Sequence, residues 1–109
     1  MPVIFSHQRG EVSPPEWSDI AHWGISRQPA GKEIELHYHD TNEYWVIIEG
    51  RGTCTTEGDT YEIGPGDVVL TKGGDEHALV VTESMVAVYI YGRLGPGDTL
   101  GHKHKEHSG

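Results

Sequence analysis

Residues 31–50, GKEIELHYHDTNEYWVIIEG, decide the fold and the site of this chain. His37 and His39 are two residues apart in a run rich in strand-forming residues, so their side chains are predicted to project from one face of one strand. The next three residues are polar and turn-prone, and residues 44–48 are predicted to return as the second strand of a hairpin. That return brings the Glu43 carboxylate back toward the two imidazoles. Imidazoles and a carboxylate on a rigid sheet form a ligand set for a divalent first-row metal.

The length and composition indicate one β-rich domain. At 109 residues the chain is long enough for one compact core and too short for two ordinary domains. Its 15 glycines and 6 prolines interrupt many short apolar runs. Because a helical chain of this size avoids so many helix breakers, frequent turns between short strands are expected.

The charge and hydropathy exclude several classes of partner. The formal charge of −9, from 17 acidic and 8 basic residues, argues against binding nucleic acid through a basic surface. No apolar run approaches the roughly 18 residues that a membrane-spanning helix needs, and the N-terminal sequence lacks the pattern of a signal peptide. The protein is therefore expected to be cytoplasmic. Cys54 cannot form an internal disulfide and is predicted to be a half-buried strand residue rather than an activated thiolate.

Short strands separated by short turns are predicted along most of the chain. The predicted strands cover about nine segments: residues 3–6, 23–28, 33–39, 43–49, 53–57, 60–63, 68–71, 77–82 and 85–91. Turns are predicted at residues 50–52, 58–59, 64–67 and 72–75. Residues 13–16, SPPE, have the form of a capping box and predict a short helical turn through Asp19. Such a pattern indicates an all-β sandwich or barrel.

The single domain divides into three parts. Residues 1–30 are predicted to be N-terminal strands and a short helical turn that pack on a barrel. Residues 31–91 are predicted to form the barrel core. Residues 92–109 are polar and glycine-rich and are predicted to be a loop or frayed tail.

The spacing of the histidine-rich stretch resembles the first motif of the cupin family. Gly31, His37, His39, Glu43 and Gly50 occupy all the fixed positions of that motif. Part of the second cupin motif follows after 15 intervening residues, and its matching positions are Gly66, Gly74 and His77. The sequence departs from that motif at Lys72, where proline is usual, and at Val81, where asparagine is usual.

The resemblance implies a small double-stranded β-helix, a jelly-roll barrel whose mouth holds a metal. The implied metal ligands are His37, His39, Glu43 and His77. Three nitrogen donors and one carboxylate suit Fe, Mn, Ni, Zn, Co or Cu and leave a coordination position open for substrate, water or dioxygen. Glu43 has a second possible role as a general base. The alternative is a cupin without metal, in which these residues form a buried polar network.

Other side chains have alternative roles. Trp45 and Ile47 share the parity of Glu43 and are predicted to line the interior, with Trp45 either in the core or as a wall of a substrate pocket. Tyr38 and Tyr44 are predicted to point away from the cavity. Arg27 is interpreted as a surface residue, the alternative being a contact to an anionic substrate.

Two further groups are candidates for the site. Tyr89 and Tyr91 share a face of the last strand and either contribute a hydroxyl to the site or pack. The histidine-rich tail, with His102, His104 and His107, is predicted to be solvated and mobile, because no rigid element fixes its side chains.

These inferences lead to a functional hypothesis. The chain is predicted to be a metal-dependent enzyme that acts on a small polar or carboxylated metabolite, with dioxygenase-like chemistry ranked ahead of isomerase, decarboxylase or lyase chemistry. The alternative is a non-catalytic module that binds a small molecule, since fold does not fix function. A homodimer is expected, with the apolar stretch at residues 3–5 as a candidate edge.

Overall fold

The described residues of the computed structural model are all β. They comprise residue 4, residues 13–99 and residues 101–105. The strands are β1 (His22–Gln28), β2 (Glu33–His37), β3 (Glu43–Thr56), β4 (Asp59–Ile63), β5 (Val68–Thr71) and β6 (His77–Tyr91). These residues contain no helix, so none of them forms a helix that could cross a membrane. The predicted fold class is confirmed.

Two long strands, β3 and β6, organise the sheet. They pair antiparallel along their whole length, from Glu43 opposite Tyr91 to Thr56 opposite His77. The Tyr91 half of β6 also pairs with β1, and the adjoining half of β3 pairs with β5. At the other end, β2 pairs with β6 and β4 pairs with β3. The predicted hairpin around residues 40–42 is wrong, because β2 and β3 each pair with β6 and not with each other. Each long strand therefore pairs with different neighbours along its two halves. This change of partners lets a small number of strands close into a barrel.

The predicted turn at residues 50–52 is wrong, because β3 runs through it as a bulged strand. Irregularities in the β3–β6 register lie between Ile47 and Gly52. Gly50 has a φ of 85°, and a Cβ there would lie 2.7 Å from the Met85 Cα. Glycine permits both the positive φ and the close approach of the two backbones, so the strand bends instead of reversing. The bend carries the chain from one face of the barrel to the other.

The long strands explain why fewer strands are present than were predicted. The break expected between residues 82 and 85 is also wrong, since β6 is continuous from His77 to Tyr91. Side chains of odd-numbered residues from His77 to Ala87 point inward except at Glu83, so one inward face continues along β6. Two pairs of predicted strands are thus two single strands. The sequence could not show this, because glycines and polar residues at a bend have the composition of a turn.

The segment before β1 contains a turn instead of the predicted helical turn. The Ser18 amide donates a hydrogen bond to the Pro15 carbonyl at 3.0 Å, and no helix follows. The Arg93 guanidinium donates to the carbonyls of Ser18 and Pro15 and holds this turn. The predicted strand at residues 3–6, and with it the suggested dimer edge, lies outside the described residues except for Ile4, which is exposed.

The core lies inside the bend of the long strands. Its buried members are Ile47, Cys54, Ile63, Leu79, Val81, Met85 and Ala87, and Ile34, Trp45 and Val69 pack against them. Cys54 was predicted to be half-buried, but it is only 2% exposed because it packs inside the core. Burial raises the pKa of its thiol, which fits a core residue rather than a nucleophile. The departures from the second cupin motif do not prevent this arrangement, since Val81 is in the core and the Asp75 amide closes a turn onto the Lys72 carbonyl.

Candidate metal centre

Four predicted site residues meet at one end of the barrel. His37 ends β2 and lies directly opposite His77, which begins β6. His39 follows β2 by two residues, and Glu43 begins β3. Their exposed fractions are between 1% and 3%. The structure thus brings together all the side chains that the sequence placed at one site.

The three imidazoles form a compact group of potential ligands. One ligand atom from each of His37, His39 and His77 lies within 4.8 Å of the others. The Glu43 Oε1 atom lies 3.4 Å from the His39 Nε2 atom and 3.1 Å from the His77 Nε2 atom. The carboxylate therefore contacts two of the three histidines from one side of the group. Three histidines at these distances could hold one metal ion.

Backbone carbonyls orient the imidazoles. The His37 Nδ1–H group donates to the Glu35 carbonyl at 2.6 Å, and the His39 Nδ1–H group donates to the Gly101 carbonyl at 3.0 Å. The corresponding distance from His77 Nδ1 to the Asp75 carbonyl is 3.5 Å. Because a carbonyl only accepts, the proton of each neutral ring is on Nδ1 and the Nε2 atom carries a lone pair. Metal-binding histidines in proteins are oriented in the same way.

The donor atoms that face one another have no hydrogen-bond partner. Among the described residues, the buried side-chain atoms without such a partner are His37 Nε2, His39 Nε2, His77 Nε2 and Glu43 Oε1. Lone pairs that face a carboxylate at close range repel one another, and buried polar atoms are rarely left unpaired. A positive charge between them, either a proton or a metal ion, removes the conflict.

The titration of these residues also depends on their contacts. Burial lowers the pKa of His37 to about 4, against the opposing effect of its bond to the Glu35 carbonyl. For His39, burial lowers the pKa but the Glu43 carboxylate raises it more, so the net shift is upward. Burial alone would raise the pKa of Glu43, yet His39 and His77 hold it well below its usual range. The centre therefore pairs a carboxylate that stays ionised with at least one imidazole that stays neutral.

A cavity of about 410 Å³ opens beside the donors. Aromatic side chains dominate its wall, and Ser26 and Gln28 add neutral polar groups. The described lining residues are His22, Ser26, Gln28, Ile34, Glu43, Trp45, Leu79, Met85, Ala87, Tyr89, Tyr91, Gly101 and His102, and none of these is lysine or arginine. Because Glu43 is both a lining residue and a neighbour of the histidines, a molecule in the cavity reaches the donor group.

The two tyrosines of β6 belong to this cavity. Burial and then the Glu43 charge raise the pKa of Tyr91, so its hydroxyl keeps a proton near the carboxylate. The Tyr89 ring lies over Gly24, where a Cβ would come within 2.8 Å of the ring carbon Cε1. Only glycine at position 24 leaves room for this ring. Of the two roles considered for these tyrosines, the structure favours a contribution to the site.

The remaining interior and surface assignments agree with the structure. Ile47 is buried, and Trp45 lines the cavity and stands edge-on to His77 with ring centroids 5.8 Å apart. Tyr38 and Tyr44 are absent from the described cavity lining. Arg27 is exposed, while its neighbours Ser26 and Gln28 line the cavity. The alternative of an Arg27 contact to a substrate is therefore not supported.

Sequence reasoning missed part of β1 and the end of the chain. His22, Ser26 and Gln28 have the same parity on β1 and line the cavity together. The period-two alternation of the predicted strand at residues 23–28 was the signal that could have found Ser26 and Gln28. The expectation of a frayed tail is wrong for residues 101–105, because Lys103 pairs with Tyr38 and His102 stacks on His37. Nothing local in that segment predicts this pairing.

Comparison with known proteins agrees with this geometry. The family model for the cupin domain matches residues 24–91. L-ectoine synthase of Halomonas elongata is 32% identical over 84 residues, which are 75% of this chain and 59% of that protein. The uncharacterized protein y4oW of Sinorhizobium fredii is 43% identical over 51 residues, which are 47% of this chain and 24% of that protein. The chain thus spans less than two thirds of each of these relatives.

A solved structure shows the same architecture. The DMSP lyase DddQ from Ruegeria pomeroyi superposes with a TM-score of 0.66 at 27% identity, over 76% of this chain and 42% of that one. The likeness confirms the predicted double-stranded β-helix. The match of the family model covers well over half of the sequence, and it includes every residue of the histidine and glutamate group. This chain belongs to the cupin domain family.

Proposed function

We propose that this protein binds one divalent transition metal through His37, His39 and His77, with Glu43 beside them. One observation carries the proposal: three Nε2 lone pairs and the Glu43 Oε1 atom face one another, buried and without hydrogen-bond partners. A metal cation satisfies all four atoms at once, whereas a single proton satisfies only one pair. The donor set fits Fe, Mn, Ni, Zn, Co or Cu.

The role of Glu43 follows from its position. Its carboxylate contacts His39 and His77, and its pKa lies well below the usual range. It therefore serves either as a metal ligand or, from the edge of the group, as a general base toward a molecule in the cavity. Tyr91 provides the complementary function, because its raised pKa keeps a hydroxyl donor near the same carboxylate. A bound metal would polarise an oxygen of the substrate.

We infer that the substrate is a small carboxylated metabolite with a single negative charge. The described lining of the cavity has no lysine or arginine, so the metal is the only permanent positive charge that a carboxylate would meet there. Trp45, Tyr89 and the aliphatic side chains suit an apolar or neutral body. A second carboxylate would be desolvated without a partner, which is costly. The volume of about 410 Å³ limits the ligand to a small molecule.

We favour a lyase type of reaction, because one of the similar proteins is named a lyase. Dioxygenase-like chemistry ranked first on the sequence alone, but two relatives above 25% identity are named L-ectoine synthase and DMSP lyase. A base and a protonated hydroxyl close to a polarised carboxylate suit the removal of a proton and the loss of a leaving group. The alternative is a non-catalytic binding module, and it is favoured if a bound ligand is never turned over.

The homodimer and the cytoplasmic location remain predictions.

The first test is elemental analysis of protein purified without an affinity tag or added metal. We expect about one equivalent of a first-row transition metal per chain. A chain that stays metal-free after reconstitution with each candidate metal would contradict the proposal, and the four donors would then be a polar network. If the metal is redox-active, oxygen uptake with candidate ligands separates dioxygenase from lyase chemistry.

The apparent metal affinity is expected to fall as the pH falls. The pKa of His39 is raised, so in the metal-free protein its proton competes with the metal, whereas His37, with a pKa of about 4, does not compete near neutrality. Between about pH 8 and pH 6 the affinity should therefore decrease, approaching tenfold per pH unit below the pKa of His39. Competition titrations against a chelator of known pH dependence measure this. An affinity that does not change over this range would show that no ligand titrates there.

If the substrate carries a single negative charge, the cavity should discriminate between monocarboxylates and dicarboxylates. In the metal-loaded protein, a 2-hydroxy monocarboxylate with an apolar body should bind at least about tenfold more tightly than a dicarboxylate of similar size. Isothermal titration of the two ligands measures the difference. Gln28→Lys is the matched variant, because it adds a cation to the lining and should recover dicarboxylate binding. Equal binding of both ligands to the unmodified protein would contradict the inference that the substrate carries a single negative charge.

A further inference from the structure

We propose that residues 101–103, named here the C-terminal strap, form a working part of the metal centre by fixing the orientation of His39 and slowing metal release. This inference rests on the proposed metal binding. It assigns a role to residues that the four-donor group does not include and that lie outside the matched family region, which ends at residue 91. Its basis is a set of contacts between the strap and residues 37–40.

The strap is attached on both sides of His39. Tyr38 and Lys103 form a two-way backbone bridge, with N···O distances of 2.8 Å in each direction. The Lys103 ammonium pairs with the Asp40 carboxylate, which also accepts a hydrogen bond from the Thr99 amide at 2.9 Å. Because Tyr38 and Asp40 are the sequence neighbours of His39, these attachments place the strap directly over that histidine.

The strap supplies the hydrogen-bond partner of His39. The Gly101 carbonyl accepts the His39 Nδ1–H group at 3.0 Å, across 62 residues of sequence. Gly101 has a φ of 118°, a conformation that side-chain-bearing residues rarely adopt, and this φ helps to aim the carbonyl at the ring. Without this acceptor the imidazole can rotate or change tautomer, and its Nε2 lone pair no longer points reliably at the other donors.

The strap also covers a second histidine. The His102 ring stacks on the His37 ring with centroids 3.9 Å apart and an interplanar angle of 13°, and it meets His39 edge-on at 5.0 Å. His102 is itself exposed on its outer side, whereas His37 and His39 are 1% and 2% exposed. The strap therefore lies between two of the imidazoles and solvent. The group of three histidines does not include His102, and we assign it the role of a cover over the two rings.

The strength of the attachment suits a strap that opens occasionally. The Lys103 side chain is 35% exposed and that of Asp40 is 16% exposed, and ion pairs of this kind contribute little to stability. The remaining contacts of the strap are two backbone hydrogen bonds to Tyr38, the hydrogen bond from His39 to the Gly101 carbonyl and the stack of His102 on His37. We therefore expect loss of the strap to leave the barrel folded but to change metal exchange, by the factor of roughly 10 to 100 seen when an outer partner of a metal ligand is removed.

The test compares two proline variants of the full-length chain. Lys103→Pro removes the amide that donates to the Tyr38 carbonyl and the ammonium that pairs with Asp40. Lys105→Pro is the matched control, since it removes the same charge two residues later, where the contact of the lysine is with the Tyr38 ring at 5.3 Å. Both variants are loaded with the metal found in the purified protein, and metal release into excess chelator is timed. Nitrogen-edited NMR of the metal-free proteins follows the His39 Nδ1–H signal.

The two readouts together decide the question. The proposal expects Lys103→Pro to lose the slowly exchanging His39 Nδ1–H signal and to release metal about tenfold faster, while Lys105→Pro matches the unmodified protein on both. Metal release at the unmodified rate from Lys103→Pro would overturn it, as would equal acceleration in both variants. Failure of the proposed function looks different, because the unmodified protein would then bind no metal while its His39 signal could still be present.

A second pair, His102→Ala and His102→Phe, isolates the ring cover, and only the alanine variant should release metal faster.

Discussion

Replacing His37 and His39 together with alanine should abolish metal binding, from about one equivalent to less than about a tenth of an equivalent per chain. The two imidazoles supply two of the three nitrogen donors and are oriented by separate backbone carbonyls. Their loss leaves His77 and Glu43, which cannot retain a transition metal against a chelator. Elemental analysis after loading and desalting measures the metal content. The truncated side chains would also leave a void beside the cavity, so circular dichroism should confirm that the variant is folded.

A matched double variant controls for the loss of two histidines. His22 lines the same cavity, and His104, the residue after the strap, donates to the Leu36 carbonyl, but neither belongs to the group of ligand atoms. The His22→Ala, His104→Ala protein should therefore keep close to one equivalent after loading. Equal metal loss from both double variants would mean that the histidine group of the barrel is not the binding site.

Gly50→Ala should strongly destabilise the barrel, lowering the free energy of unfolding by about 3 kcal/mol or more. Gly50 combines a φ of 85° with a position where a Cβ would lie 2.7 Å from the Met85 Cα and from the Ser84 carbonyl carbon. Backbone cannot move aside as a flexible side chain can, so the bulge of β3 would have to separate from β6. Urea unfolding followed by tryptophan fluorescence gives the change.

Gly58→Ala separates the two causes of that loss. Gly58 has nearly the same φ, 84°, but a Cβ there would have no heavy atom within 4 Å. This variant should therefore carry only the strain of the left-handed conformation, about 1 kcal/mol. The free energies of unfolding of the two variants should differ by about 2 kcal/mol. That difference is the cost of the contact between the added Cβ at position 50 and the backbone of β6. If both lose the same stability, the close approach of β3 and β6 does not matter energetically.

Local patterns were enough to predict most of the barrel. The strand that ends at His37, the strand that begins at Glu43 and the turn at residues 72–75 depend on neighbours in sequence, so they were predictable. The pairing of the two strands was not, because β2 pairs with β6 instead of forming a hairpin with β3. The bend at residues 50–52 was not, because a glycine pair has the same composition in a tight turn and in a bulge between two sheets. Which of the two forms depends on β6, which lies about 30 residues further along the chain.

The candidate site was predictable to the same extent. The spacing of two histidines and a glutamate indicates that their side chains converge, although the strands that carry them do not form the expected pair. The resemblance to the second cupin motif added His77. The strap could not be predicted, because its bond to His39 joins residues 62 apart and its only local signal is a set of polar residues after a glycine. Gly24 was also missed, since its importance lies in the Tyr89 ring that occupies the space above it.

The pairing of β3 with β6 has a consequence for the order of events during folding. Glu43 and His39 are near neighbours in sequence, but His77 reaches them only when β6 has aligned with both β2 and β3. Sheets with such long sequence separations form slowly, and the segment at residues 33–56 alone offers an incomplete set of donors. A metal ion should therefore leave the refolding rate unchanged and slow only the unfolding rate, since it recognises a chain whose folding is already complete.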